Sequence, residues 1–121
     1  MEKKMQHEER PWGTFNVLHE EDSFKLKKIT VYPGHKLSLQ SHSKRNEVWT
    51  IIEGTGIVTL DDIVQDIERG DVIIIPSEIK HRIENTGKDF LVFVEVQHGE
   101  SFEESDIVRY EDSYGRAGPL N

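Results

Sequence analysis

The chain has no cysteine among its 121 residues, so neither a disulfide nor a thiolate metal site can contribute. Any bound metal must use nitrogen and oxygen ligands. Long apolar runs are missing too. Stretches such as Val72 to Ile75 and Leu91 to Val94 are strand-sized, far below the roughly 20 residues a membrane-crossing helix needs, so no membrane partner is expected. Positive charge is scarce: 15 Lys and Arg stand against 23 Asp and Glu, for a formal net charge of -8. A nucleic-acid backbone is therefore not an expected partner, because binding it requires a basic surface that releases counterions. The first residues carry charge at Glu2, Lys3, Lys4, Glu8, Glu9 and Arg10 without an apolar core, which argues against a signal peptide and makes a cytoplasmic location the expectation. Helical periodicity is nearly absent.

What is present is a series of short apolar stretches separated by turn residues, the pattern of an all-β sandwich or barrel. The length suits one domain, 1–121, with an N-terminal arm over 1–12 and an acidic, turn-rich wrap over 100–121. Strands are expected over Phe24 to Tyr32, ending at Pro33-Gly34, and over Leu37 to His42, Val48 to Ile52 and Ile57 to Leu60. Asp61-Asp62 supplies a hairpin turn before Ile63 to Ile67. Val72 to Ile75 reads as a strand buried on both faces and stops at Pro76, which cannot donate to a ladder. His81 to Glu84 and Phe90 to Gln97 complete the set, with one helical turn near Glu103 to Ile107.

Four residues offer a metal site of the permitted kind. Gln40 and His42 are two apart on an extended stretch, so both side chains share a face. Glu47 can close the site after a short turn, and His81 must arrive from a neighbouring strand beyond Pro76. One amide oxygen, two imidazoles and one carboxylate can hold a divalent metal, and Zn, Mn, Co, Ni and Fe(II) all accept such ligands. Each residue alone would more often be a surface or hydrogen-bonded core residue. The spacing of the group makes the case: Gly34, five residues, Gln40; His42, four residues, Glu47; six residues, Gly54. A second run reads Gly70, five residues, Pro76; four residues, His81; three residues, Asn85.

These paired runs resemble the two motifs of the cupin superfamily, which implies a double-stranded β-helix, or jelly roll, with the metal inside the barrel. Gln40 stands where the first His of that motif is usual, and Glu78 where a Gly is usual. The flanks narrow the resemblance. Arg10-Pro11-Trp12-Gly13, Leu37 to His42, Arg45 with Glu47 and Trp49, His81-Arg82, Glu95-Val96-Gln97, Asp106 to Arg109, and Tyr114-Gly115-Arg116 look like the type II mannose-6-phosphate isomerase family over nearly the whole chain. In that family the cupin often forms the C-terminal half of a bifunctional enzyme whose other half is a mannose-1-phosphate guanylyltransferase, an activity not carried over to a cupin alone. Val48 stands where the family usually has His, on the parity opposite Glu47.

The resemblance implies an enzyme that interconverts mannose 6-phosphate and fructose 6-phosphate through an enediol, with a sugar phosphate as the small-molecule partner and zinc as the first choice of metal. Such chemistry moves a proton beside a carbonyl, and a metal can stabilise the enediolate. Arg45, set among the metal ligands, is the expected catalytic residue and phosphate contact; Lys36, which shares strand parity with Ser38 and Gln40, and Arg82 are further substrate contacts. Arg10 and Arg116 rank below these. The general base stays unassigned. Glu95 is a candidate only if its face turns inward, and the competing Val92, Val94, Val96 face leaves that open. Trp12 and Trp49 are expected in the core, and His19, His35 and His98 on the surface. Two other readings stand beside the isomerase. One is a non-catalytic metal-binding cupin that binds a sugar or regulates a separate guanylyltransferase. The other is an Fe(II) oxygenase with His42, His81 and Glu47 as ligands, against which Gln40 as a fourth ligand weighs. A homodimer is expected, the arm adding a strand across the pair.

Overall fold

The computed structural model describes residues 6–114, and Gly115 and Arg116 of the family-like motif lie outside the described residues. Eleven strands occur among the described residues and form two sheets, with every pairing antiparallel. The larger sheet runs β1 (Gln6–Arg10), β2 (Gly13–Glu20), β3 (Phe24–Val31), β10 (Leu91–Gly99), β5 (Arg45–Glu53), β8 (Val72–Ile75). The smaller runs β11 (Val108–Glu111), β4 (Leu39–Ser41), β9 (His81–Glu84), β6 (Thr55–Leu60), β7 (Ile63–Glu68). The inner faces meet in an apolar core of Phe15, Ile29, Trp49, Ile51, Ile75, Ile83 and Phe93 with their neighbours. Trp12 is buried in the same cluster.

Alternation decides which side chains enter. In β5, Arg45, Glu47, Trp49 and Ile51 are buried while the residues between them are not, so a period of two carries polar ligands and apolar core on one face. Val48, falling between Glu47 and Trp49, points to the outer face in register with Val96 and Ile74, away from the metal candidates. In β10 the inward set is Leu91, Phe93, Glu95 and Gln97. The Val92, Val94, Val96 series therefore faces out, and a register shift between Val92 and Phe93 lets Val92 also be covered.

Val72 to Ile75 departs from expectation. It is an edge strand with Ile73 and Ile75 buried but Val72 and Ile74 at 59% and 65% exposure, so it is buried on one face only. The run looks doubly buried because its outward residues are apolar as well. Of the N-terminal arm, Gln6–Arg10 forms strand β1, paired to β2 of its own chain from Gln6↔Val17 to Arg10↔Gly13. The helical turn near Glu103 is a single 3₁₀ turn, Glu104–Asp106, and β11 after it pairs with β4.

Turns hold the strand ends where the site needs them. Gly54 has φ +86°, and a Cβ there would lie 2.4 Å from the Phe90 carbonyl oxygen, so this turn requires glycine twice over. Glu78, in place of the motif's usual Gly, also takes a left-handed conformation at φ 72°, and its N–H donates to the His42 carbonyl at 2.7 Å.

Candidate metal centre and cavity

Three strands deliver the ligand candidates to one point. His42 follows β4, Glu47 lies on β5 of the other sheet, and His81 opens β9, where it pairs with Gln40. One ligand atom from each of His42, Glu47 and His81 lies within 4.8 Å of the others, and all three residues are buried. The imidazole centroids are 4.7 Å apart.

The ring nitrogens are already sorted for coordination. His42 Nδ1 lies 3.1 Å from the Arg45 carbonyl and His81 Nδ1 lies 3.0 Å from the Ile79 carbonyl. A carbonyl only accepts, so each Nδ1 carries the proton and donates it, leaving each Nε2 with a lone pair. His42 Nε2 consequently has no hydrogen-bond partner although it stands 3.0 Å from Glu47 Oε2. A lone pair facing a carboxylate oxygen inside a protein is repulsive unless a cation or a proton sits between them, and a divalent metal fits this donor set. Gln40 donates through its amide nitrogen to Ser38 Oγ at 3.0 Å, which leaves its oxygen as the ligand-type end.

The charge states agree with this. Burial alone would push the Glu47 carboxyl up, yet hydrogen bonding by a protonated His42, the charge His81 gains when protonated and the Arg45 guanidinium outweigh burial and hold it well below the usual range, a role that a bound metal would take over from the imidazole protons. Arg45 Nε donates to Oε2 and Trp49 Nε1 to Oε1, both at 2.9 Å, so the carboxylate is fixed by one donor on each oxygen. Burial lowers His81, overriding the attraction of Glu47, and keeps the imidazole in its neutral, ligating form.

Gln40, Glu47, Trp49 and His81 line a cavity of about 80 Å³, and His42 stands outside that lining. Arg45 lines it, but its Nε is committed to Glu47 and its Nη1 lies 3.8 Å from Glu104, so its geometry is that of a group orienting a ligand carboxylate. Arg82 also lines the cavity, with Nε donating to the Leu37 carbonyl and the remaining nitrogens directed at Glu111. Lys36 does not line it: its backbone bridges Glu84 across the sheet, so the parity argument that placed it beside Gln40 fails where the chain before β4 is irregular.

Sequence reasoning passed over Lys27 and Gln97. Lys27 is 6% exposed and lines the cavity, its ammonium 4.5 Å above the Phe15 ring and 4.0 Å from Glu104. Its two-residue offset from Ile29 and Val31 was the signal available. Gln97 is fully buried, pairs with Glu47 across β10 and β5, and donates to Glu95 Oε2 at 2.7 Å. Glu95 turns inward. Burial, then the negative charge of Glu47, raise its carboxyl to about 8 against the opposing pull of Lys27, so it is mostly protonated at neutral pH.

The model of the family "Mannose-6-phosphate isomerase C-terminal" matches residues 1–112. Xanthan biosynthesis protein XanB of Xanthomonas campestris pv. campestris strain B100 is 44% identical over 107 residues, 88% of this chain and 23% of that protein. Mannose-1-phosphate guanylyltransferase of Escherichia coli K12 is 41% identical over 107 residues, 88% of this chain and 22% of that enzyme. The chain thus spans less than a quarter of the length of these relatives. A cupin-2 domain of Rhodospirillum rubrum superposes with a TM-score of 0.72 at 19% identity, covering 85% of this chain and 77% of that one, and the fold is that of a cupin.

The relatives correct the functional expectation. They are named for guanylyl transfer to mannose 1-phosphate and for xanthan biosynthesis, and neither name carries the interconversion of mannose 6-phosphate and fructose 6-phosphate. The word isomerase in the family description names the family and demonstrates no such reaction for this segment. What stands is a cupin in the setting of mannose-phosphate enzymes. No helix among the described residues is long and apolar enough to cross a membrane.

Proposed function

Because the chain belongs to the Mannose-6-phosphate isomerase C-terminal family, we propose that it is a metal-holding cupin module of mannose-phosphate metabolism that binds a phosphorylated mannose. The observation that carries this is the charge of the cavity. On a chain of net charge -8, the lining includes Arg10, Lys27, Arg45, Arg82 and Arg109 against Glu47, Glu95 and Glu104. With Glu95 protonated the acids count two, so the lining is cationic even before a metal adds its charge. A cavity of that sign inside an acidic protein selects an anion.

His42, Glu47 and His81, with the amide oxygen of Gln40, are the residues that would hold the metal, and zinc suits two imidazoles with a carboxylate. The metal would supply a Lewis-acidic contact for a ligand oxygen. Arg45 and Trp49 keep the Glu47 carboxylate oriented, while the Arg45 and Ile79 carbonyls fix the two imidazoles. The cavity is well below the ~300 Å³ at the lower end of small-molecule pockets, so only part of a sugar phosphate enters it.

Calorimetry of the zinc-loaded chain against mannose 1-phosphate, mannose 6-phosphate and GDP-mannose, repeated after EDTA treatment, tests this. At least one mannose phosphate is expected to bind, at least tenfold more tightly with metal than without. Absence of binding by all three ligands, or binding indifferent to chelation, refutes it.

A further inference from the structure

The buried polar groups beyond Glu47 on the larger sheet have unmet hydrogen-bonding capacity of both signs. Gln97 stands next to Glu47 in the ladder, and Glu95 stands between Trp49 and Lys27. Gln97 uses its amide nitrogen on Glu95, which leaves Oε1 buried with no hydrogen-bond partner. Arg45 Nη1 is likewise buried without one. The Lys27 ammonium, with 4.0 Å to Glu104, is outside hydrogen-bond range of its ion-pair partner. One buried acceptor without a donor thus shares a cavity with one buried donor without an acceptor, Arg45 Nη1, and with the Lys27 ammonium, which can serve a further acceptor.

The chemistry of the missing group follows from that inventory. Phosphate or carboxylate oxygens would satisfy Lys27 and Arg45 but have nothing to give Gln97 Oε1, and they would face the Glu47 carboxylate. A hydroxyl both donates and accepts, and two adjacent hydroxyls would serve Gln97 and Lys27 together. Leaving Gln97 Oε1 and Arg45 Nη1 unpaired in a buried site is costly, so the site is built around something that fills them. At about 80 Å³ the cavity has room for a two-carbon diol fragment.

We propose that Gln97, Lys27 and Glu95 form a hydroxyl-recognising subsite that takes a vicinal diol of a sugar ligand, leaving the phosphate to the more exposed lining cations Arg10 and Arg82. This rests on the reading of the chain as a mannose-phosphate binder and specifies which half of the ligand is buried. Glu95 acts here through Gln97, fixing the amide so that its oxygen faces the cavity.

The test compares wild type with Gln97→Leu and Lys27→Met, all zinc-loaded, by calorimetry against mannose 6-phosphate and inorganic phosphate. Metal content and melting temperature are measured on each sample. Wild type is expected to prefer mannose 6-phosphate to inorganic phosphate by at least tenfold. Gln97→Leu, losing one uncharged hydrogen bond, is expected to weaken the sugar phosphate by about fivefold while inorganic phosphate stays within twofold. A Gln97→Leu affinity for mannose 6-phosphate equal to wild type overturns the subsite, as does an equal loss for both ligands. Saturation-transfer NMR with D-mannose and glycerol separates this inference from its premise. Binding of these neutral diols that vanishes in Gln97→Leu upholds the subsite even if no sugar phosphate binds. Failure of every hydroxyl-bearing probe on wild type, as when only water fills the cavity, overturns both.

Discussion

Replacing Glu47 by Gln removes one buried negative charge and should destabilise the metal-free protein by about 3 kcal/mol, the low end of the cost of breaking a buried ion pair. The figure follows from what surrounds the carboxylate. Glu47 is 2% exposed and Arg45 4%, their Nε–Oε2 distance is 2.9 Å, and Arg45 has no other close anion, since Glu104 is 3.8 Å away and largely exposed. The variant keeps one acceptor oxygen, enough for either Arg45 or Trp49, but its amide NH₂ would meet whichever donor is left. The low end applies because an amide of the same shape leaves no void. Against a typical stability of about 5–15 kcal/mol, this is a large fraction. Urea unfolding in EDTA at pH 7 is the assay, and with an m-value near 1.5 kcal/mol/M the midpoint should fall by about 2 M. The control is a cycle with Arg45→Met: if the pair is what holds the carboxylate, the double variant should recover at least about 1 kcal/mol relative to the sum of the singles. A loss under about 1 kcal/mol in Glu47→Gln, or strict additivity in the cycle, refutes the ion-pair account.

Glu78→Gly should stabilise the fold by about 0.5–1 kcal/mol, because the left-handed φ of 72° costs a side chain about 1–2 kcal/mol and the added freedom of unfolded glycine returns part of that; an unchanged or lower urea midpoint would count against it. Burial pushes the Asp106 carboxyl up, but it accepts from the Ser43 and Lys44 N–H groups and from Ser43 Oγ, and together these bonds lower it from its ordinary value. A depressed folded value means its contribution is present above pH 4 and lost as pH falls through the folded value. Asp106→Asn should therefore unfold about 0.5–1 kcal/mol more easily at pH 6 and converge on wild type as the carboxyl protonates in acid, the exposure of Asp106 keeping the effect small; a gap that does not narrow on acidification contradicts this. On the outer face of the larger sheet, Leu26, Val96, Val48 and Ile74 stand in one ladder row beside Lys28, Val94, Thr50 and Val72, with Lys28 the single charge of the eight. On so acidic a chain that face suits a second copy packed sheet to sheet, and Ile74→Glu should halve the mass seen by light scattering; a monomeric wild type at 100 μM would end the idea.

The metal candidates were legible because their argument needs only spacing and ligand chemistry, and both survive errors in strand bounds. Gln40 and His42 depend on a parity of two, and His81 on the turn that Pro76 begins. Lys36 relied on the same parity carried back through residues that are not in a strand, and there it failed. Strand β1 carries no apolar alternation, β2 little beyond Phe15 and Val17, and the Val108 and Tyr110 pair of β11 stays exposed, so their pairing comes from the sheet edges they cover.

Glu95 shows why the deeper half of the site was not legible. Two interleaved apolar series run through β10, Leu91 with Phe93 and Val92 with Val94 and Val96, and hydrophobicity cannot choose between them when the outer face is apolar too. The choice is made by cross-strand partners: Glu95 lies opposite Trp49 on one side and Lys27 on the other, both buried. Once Trp49 is taken as core, its ladder neighbours must share its face, and Lys27, Glu95 and Gln97 enter the cavity together. The same step sends Val48 outward with Val96. That substitution therefore changes the outer face of the sheet and leaves the metal-facing side chains of β5 as they were.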